Sequence, residues 1–196
     1  MYGKDRDGIG RPILVEQSGQ LVGMSNLTDA AINGRLFHCC SQISTTTSTT
    51  LNTTHVGLAV GNPAGSGKYL IMHEFGWGTD GSLSAEGTIG LAVGTIGDMA
   101  AGEAPTVYPS LVGGNGSSVA RADQVGVTTG TLTMVKVIAE TDDTAAGAQS
   151  YGTTTPHILD LKGSIVISPG YLVATETNVA TGNVMWFHFQ WEEIDV

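Results

Sequence analysis

Val184-Met-Trp-Phe-His-Phe-Gln-Trp-Glu-Glu-Ile194 is a run of alternating character. Met185, Phe187, Phe189 and Trp191 fall on one side of an extended chain, and Trp186, His188 and Gln190 on the other, because successive strand side chains point to opposite faces. Aromatic rings on both faces mark a central strand of a sheet. Working outward, strand-like segments recur at Arg35 to Ile43, Thr54 to Val60, Tyr69 to Trp77, Thr88 to Val93, Thr131 to Glu140, His157 to Leu161, Ser164 to Ile167 and Tyr171 to Glu176. Turn residues separate them, and the resulting count is that of a β-sandwich. In Thr131 to Glu140 neither Leu132, Met134 and Lys136 nor Thr133, Val135 and Val137 form a wholly polar set, which predicts a strand covered on both sides.

Composition points the same way. The 196 residues carry 18 acidic and 8 basic side chains, a net charge of −10, and only 13% are charged. Mean hydropathy is +0.11, and Gly alone contributes 28 residues. Such a chain is neither the highly charged, weakly hydrophobic type that stays disordered nor good helix material. The class is all-β. At this length one domain buries about 70% of its unfolded surface, enough to fold without disulfides or metal. Residues 1–24, with Gly3, Gly8, Gly10 and Pro12, read as an extended N-terminal arm with a short hairpin, Pro12 to Glu16 turning at Ser18-Gly19 into Gln20 to Met24. Residues 25–196 read as the sandwich domain. Asn26 to Gly34 reads as a short connection of one or two helical turns, capped by Asn26 or Thr28 and stopped by Gly34. Two stretches lack alternation, the Thr/Ser tract at 45–54 and residues 98–130, and a long irregular segment marks a functional loop or contact surface.

The same arithmetic excludes classes of function. Nucleic-acid binding needs clustered Lys and Arg, which an acidic chain with 8 basic residues does not offer. No apolar run reaches the roughly 18 residues that cross a bilayer, and the charged, Gly-broken N-terminus lacks the apolar stretch of a signal peptide. The expectation is a soluble protein without a membrane partner that stays where it is made. Cys39 and Cys40 are adjacent, close no useful loop if bridged, and read as reduced thiols on a strand.

Several motifs approach a chemistry without reaching it. Gly61-Asn-Pro-Ala-Gly-Ser-Gly-Lys68 resembles a phosphate loop but has five residues where four are required before the Gly-Lys pair. Tyr69 stands where the magnesium-binding Ser or Thr belongs, and a β pattern follows instead of a helix. The stretch reads as a turn joining two strands. His38, His55, His73, His157 and His188 show no HxH or HExxH spacing, and His73-Glu74 is only a fragment of a cupin-type motif, so neither a metal nor another cofactor is expected. His188 reads as a strand residue that contacts a neighbour or solvent. There is no Gly-x-Ser-x-Gly elbow, and nothing around Cys39 argues for an activated thiolate. Asp5-x-Asp7-Gly8 and Asp142-Asp143 lack a full calcium-ligand set. The chain is expected not to be an enzyme.

Three stretches carry a resemblance. Arg11-Pro-Ile-Leu-Val-Glu-Gln-Ser-Gly-Gln-Leu-Val22 resembles the arm that opens many small tailed-bacteriophage structural proteins. Asn62-Pro-Ala-Gly-Ser-Gly-Lys-Tyr-Leu-Ile71 resembles their turn between sandwich strands, and Trp191-Glu-Glu-Ile194 their final strand. The resemblance implies a jelly-roll-like sandwich, usually trimeric, that decorates the outer surface of an icosahedral head. Its partners would be the major capsid protein and further copies of itself. It would be made in the host cytoplasm and reside on the virion. Arg11, Pro12, Ile13, Leu14 and Val15 are the expected docking-arm residues, with Ile13, Leu14 and Val15 as apolar contacts. The alternative is a tail, fibre or baseplate component, or a receptor-recognition module whose 98–130 loop engages carbohydrate through an aromatic platform such as Tyr108 or Trp77.

Overall fold

A computed structural model of the chain describes residues 2–4, 10–12, 25–42, 45–46, 57–80, 87–99, 104–124, 132–141, 157–177 and 184–196. The elements are β1 (Tyr2–Lys4), β2 (Gly10–Pro12), α1 (Asn26–Ile32), β3 (Leu36–Cys40), β4 (Thr45–Thr46), β5 (Ala59–Gly61), β6 (Lys68–Asp80) and β7 (Gly87–Thr95). They continue with β8 (Val107–Pro109), β9 (Arg121–Asp123), β10 (Thr133–Thr141), β11 (His157–Ile167), β12 (Tyr171–Thr177) and β13 (Val184–Asp195).

Two antiparallel sheets make the sandwich, one in the order β11-β6-β13-β3-β8 with β4 beside β13, the other in the order β10-β7-β12-β5-β9. The pairs β3/β13, β5/β12, β6/β11 and β7/β10 nest one inside the next along the chain, and successive pairs belong to alternate sheets. A long antiparallel ribbon rolled up in this way is a jelly roll. Ladders β13/β6 and β12/β7 close the roll by joining pairs that are two apart in the ribbon.

The core forms where the alternation requires it. Met185, Phe187, Phe189 and Trp191 point inward from β13 and are at most 1% exposed, against Phe37, Phe75, Leu58, Leu91 and Val173. Phe75 is the hub, with ring centroids 5.1 Å from Phe189 and 6.2 Å from Phe187. A smaller cluster of Ala59, Ala92, Met99, Leu132, Leu172 and Ala174 extends this core through the second sheet.

Residues 61–68 form the turn between β5 in one sheet and β6 in the other. Asn62 is fully buried, and its amide donates to the carbonyls of Lys68 at 2.8 Å and Ile167 at 2.9 Å. Its Oδ1 accepts from Ser66 Oγ at 2.6 Å, and its backbone N–H and C=O bond to Tyr171 and Gly170. The apparent phosphate loop is a structural knot that ties four segments together.

Several expectations need correcting. Ser25, rather than Asn26 or Thr28, caps α1, its hydroxyl accepting from the Thr28 N–H at 3.1 Å, while Gly34 at φ 69° follows the helix as expected. The segments His157 to Leu161 and Ser164 to Ile167 are one strand, β11, interrupted by a register shift at Lys162 (φ 51°) and Gly163 (φ 69°). The strand β10 is not covered on both sides: among the described residues it is an edge, and Val135 and Val137 are 53% and 63% exposed. Periodicity reports which residues share a face but not whether anything lies against it.

Near the N-terminus β2 pairs with β1 in a two-stranded sheet of their own, Tyr2 opposite Pro12 and Lys4 opposite Gly10. The expected hairpin of 12–16 with 20–24 falls on 13–24, outside the described residues.

Candidate functional site

Among the described residues, the outward face of the β11-β6-β13-β3-β8 sheet carries a dense group of chemically capable side chains. It depends on an irregularity in β6. Opposite β13 the register slips between Gln190 and Trp191, so that Glu74 pairs with Gln190 while Met72 pairs with Trp191 and His73 is the extra residue. Such a bulge lets two consecutive side chains leave the alternation. Met72, Phe75 and the partly buried Trp77 all enter the core, and Glu74 faces outward.

Across the sheet the register then aligns Tyr108, His38, Gln190 and Glu74 in one row, drawn from β8, β3, β13 and β6. The next row places Cys40 opposite His188 and His188 opposite Gly76. His38, Cys40, Glu74, His188 and Gln190 line an open recess of about 400 Å3. Gly76 is what lets His188 lie down in it, because a Cβ there would sit 1.9 Å from His188 Cε1. His188 Nε2 donates to Glu74 Oε1 at 2.8 Å, which fixes both side chains. Tyr108 stacks on His38 with centroids 6.2 Å apart, and His38 Nδ1 shares a hydrogen bond with Ser110 Oγ at 3.3 Å. Tyr108 is half exposed, and Trp186 stands on the same face of β13, 37% exposed.

Burial holds the His38 pKa below its usual value, and the neighbouring His188 pushes in the same direction, so the imidazole stays neutral at pH 7. Burial also raises the Cys40 thiol, and it pushes that of Cys39, on the core side of the strand, up to about 12. Neither cysteine has the depressed pKa of a nucleophile. Among the described residues no three His, Cys, Asp or Glu side chains are placed to hold a metal ion. The recess offers hydrogen-bond donors and acceptors together with a single carboxylate, an arrangement suited to binding.

Beside it, Glu192 pairs with Arg35, which also holds Asp29 of α1 at 2.9 Å, and lies 3.5 Å from His73 Nε2. That His73 nitrogen is buried with no hydrogen-bond partner. Glu193, 3% exposed, accepts from the Val119 N–H at 3.1 Å, from Ser118 Oγ and from Trp191 Nε1. It thereby pins the 104–124 segment to the roll.

Of the expected docking-arm residues, Arg11 and Pro12 lie in β2, while Ile13, Leu14 and Val15 are outside the described residues. Of the two candidate aromatic platforms, Trp77 is packed between Phe75 and His157, with centroids 5.6 and 5.0 Å away, and is no open platform. Tyr108 is open. The sequence pattern placed His188 on the right face but gave no means of grouping it with Glu74, which only the bulge brings outward. No helix among the described residues is long and apolar enough to cross a membrane. Comparison with protein-family models, curated proteins and solved structures finds no match for this chain.

Proposed function

We propose that this chain is a structural virion protein, a trimeric head decoration (cement) protein of the kind its arm resembles, which stabilises a shell by bridging major capsid subunits. The observation that carries the reading is the unequal finish of the two sides of the roll. On one side the 104–124 segment lays down the three-residue strands β8 and β9, one along each sheet. Short edge strands under a strap are how soluble proteins blunt their edges. On the other side, among the described residues, the sheets end in β10 and β11, of nine and eleven residues. These long edges carry Val135, Val137, Ile158 and Val166, all more than half exposed. Beside them a groove of about 270 Å3 runs along Val93, Ile165, Ile167 and the half-exposed Tyr171.

A long edge with unpaired backbone groups and β-branched side chains is a template for another chain, and a second copy is the partner always present at the right concentration. Repeated over the sites of a shell, even a modest apolar contact of about 25 cal/mol per Å2 adds up to a large stabilisation. The acidic surface favours a station outside the shell, away from packaged nucleic acid.

Light scattering on the full chain tests the first step. A particle of three times the 20.2 kDa chain mass is expected, falling to one on Val137→Lys with Ile158→Lys. A monomeric parent protein refutes the trimer. Quantitative mass spectrometry of purified virions tests the second. Hundreds of copies are expected; a handful moves the protein to the tail or its fibres, and absence from particles refutes the reading altogether.

A further inference from the structure

We infer that the recess on the outer face of β3, β13 and β6 is a binding site for an uncharged, hydroxyl-rich ligand, a short neutral oligosaccharide. The lining selects this class step by step. No Lys or Arg lines the recess and Glu74 contributes a negative charge, within a chain of net charge −10, so sulfated, phosphorylated or sialylated ligands are repelled. A purely apolar ligand would strip water from His38, Glu74, His188 and Gln190 and return no hydrogen bonds, which costs more than the contact gains.

A sugar satisfies each group. The Gln190 amide lines the recess and presents both donor and acceptor to a hydroxyl pair. Glu74 spends Oε1 on His188 and keeps Oε2 for hydroxyl donors. His38 spends Nδ1 on Ser110, leaving Nε2. The half-exposed Tyr108 ring supplies a flat apolar surface for the C–H face of a pyranose, with its phenol at the wet end. With neighbouring strands about 4.8 Å apart, the row Tyr108, His38, Gln190, Glu74 extends for about 14 Å, the reach of a short oligosaccharide rather than of one ring. The fixed parts are rigid before binding, since His188 is wedged over Gly76 and held by Glu74. Preorganised polar groups around a volume of this size are what small-ligand sites require.

The experiment uses the full chain, labelled with 15N, titrated with maltotriose, cellotriose, mannotriose and triacetylchitotriose and then displayed on an array of neutral and acidic glycans. At least one neutral sugar is expected to shift the Gln190 side-chain amide and the backbone amides of His38 and His188, which line the recess, while leaving the Trp191 indole, which is fully buried, in place. Tyr108→Ala and Gln190→Ala should each weaken that sugar at least tenfold with little change in melting temperature, Tyr108 being half exposed and Gln190 lining the open recess. Gly76→Ala should abolish it by displacing the His188 ring from its place over the strand and breaking its bond to Glu74. The inference is overturned if no neutral glycan binds, if only acidic glycans do, or if binding survives both Tyr108→Ala and Gln190→Ala undiminished.

Discussion

Replacing Asn62 by Asp changes one amide nitrogen to oxygen and should cost this protein much of its stability. In the parent, Nδ2 of the fully buried Asn62 donates to two carbonyls, those of Lys68 and Ile167, at 2.8 and 2.9 Å, the first bond partly buried and the second wholly so. The carboxylate has no proton to give either of them. Each buried acceptor left without its donor costs about 1–3 kcal/mol, so the pair costs roughly 2–6 kcal/mol before the repulsion between a carboxylate and two carbonyl oxygens is counted. For a chain of this length each kcal/mol moves the melting temperature by about 2–4 °C, which makes a fall of roughly 8–16 °C the central expectation. Protonating the introduced carboxylate returns one donor, so the deficit relative to the parent should shrink as pH falls toward 4, where a carboxylate forced into a buried site is already neutral. Thermal denaturation followed by circular dichroism at pH 7 and pH 4 measures both quantities. Ser66→Ala removes the hydroxyl that donates to Asn62 Oδ1 and accepts from the Lys68 N–H at 3.2 Å, in a partly exposed place, and should cost about 1–2 kcal/mol. A fall of less than about 3 °C for Asn62→Asp, or one no larger than for Ser66→Ala, would refute the assignment of this turn as the knot of the fold.

Four further outcomes are expected. Lys68→Ala, which releases only the exposed Asp195 carboxylate at 2.7 Å, should leave the melting temperature within error, and saturating magnesium-ATP should shift neither protein, whereas a phosphate loop would show stabilisation by ATP that needs the lysine. Phe189→Ala, which empties the place against Phe75, should cost about 3–5 kcal/mol in urea denaturation. The folded Cys39 thiol titrates near 12 and the unfolded one near 9; its contribution is therefore whole below pH 9 and is lost as pH rises toward 12, so the parent should lose about 3 kcal/mol relative to Cys39→Ala between pH 8 and pH 11. His38 has the opposite sign: its folded pKa lies below the unfolded 6.5, so its contribution is present above pH 6.5 and lost as pH falls through the folded value, and His38→Gln should flatten the acid limb of the stability profile.

How far the fold could be read in advance differs from element to element, for physical reasons. The final strand was legible because each of its inward residues is large and apolar, and Met185, Phe187, Phe189 and Trp191 are the buried set that its alternation named. The knot at 61–68 was legible as a turn but not as a hub, because the partners of Asn62 at Ile167, Gly170 and Tyr171 are more than a hundred residues away. The edge position of β10 was illegible, since Val135 and Val137 have the same pattern whether a neighbour covers them or not. The recess failed for a third reason. A bulge at His73 leaves no mark on the sequence, yet it alone turns Glu74 toward Gln190 and His188. Tyr108 could be named as an exposed aromatic residue, but its partner His38 could be found only after β8 had paired with β3.

The two proposed surfaces make a joint claim that neither makes alone. In the first sheet the recess is centred on β13, with β6 and β3 at its flanks, while the open edge is β11, the strand beyond β6. The strand spacing puts β11 about 10 Å from the centre of the recess. The side chains offered to a second copy, Ile158 and Val166 from β11 and Val135 and Val137 from β10, do not line the recess. Copies joined along β10 and β11 therefore leave every recess open, and a trimer presents three of them. Linked sites raise avidity without any new contact, so a millimolar sugar site becomes a useful one on an oligomer and more so on a shell that repeats it. The variant Val137→Lys with Ile158→Lys separates the two effects. It should leave the affinity for free trisaccharide unchanged while lowering retention on a glycan-coated surface by ten-fold or more. Equal retention of monomer and oligomer would show that the recesses do not act together, and a loss of affinity for the free sugar would show that the edge and the recess are one site.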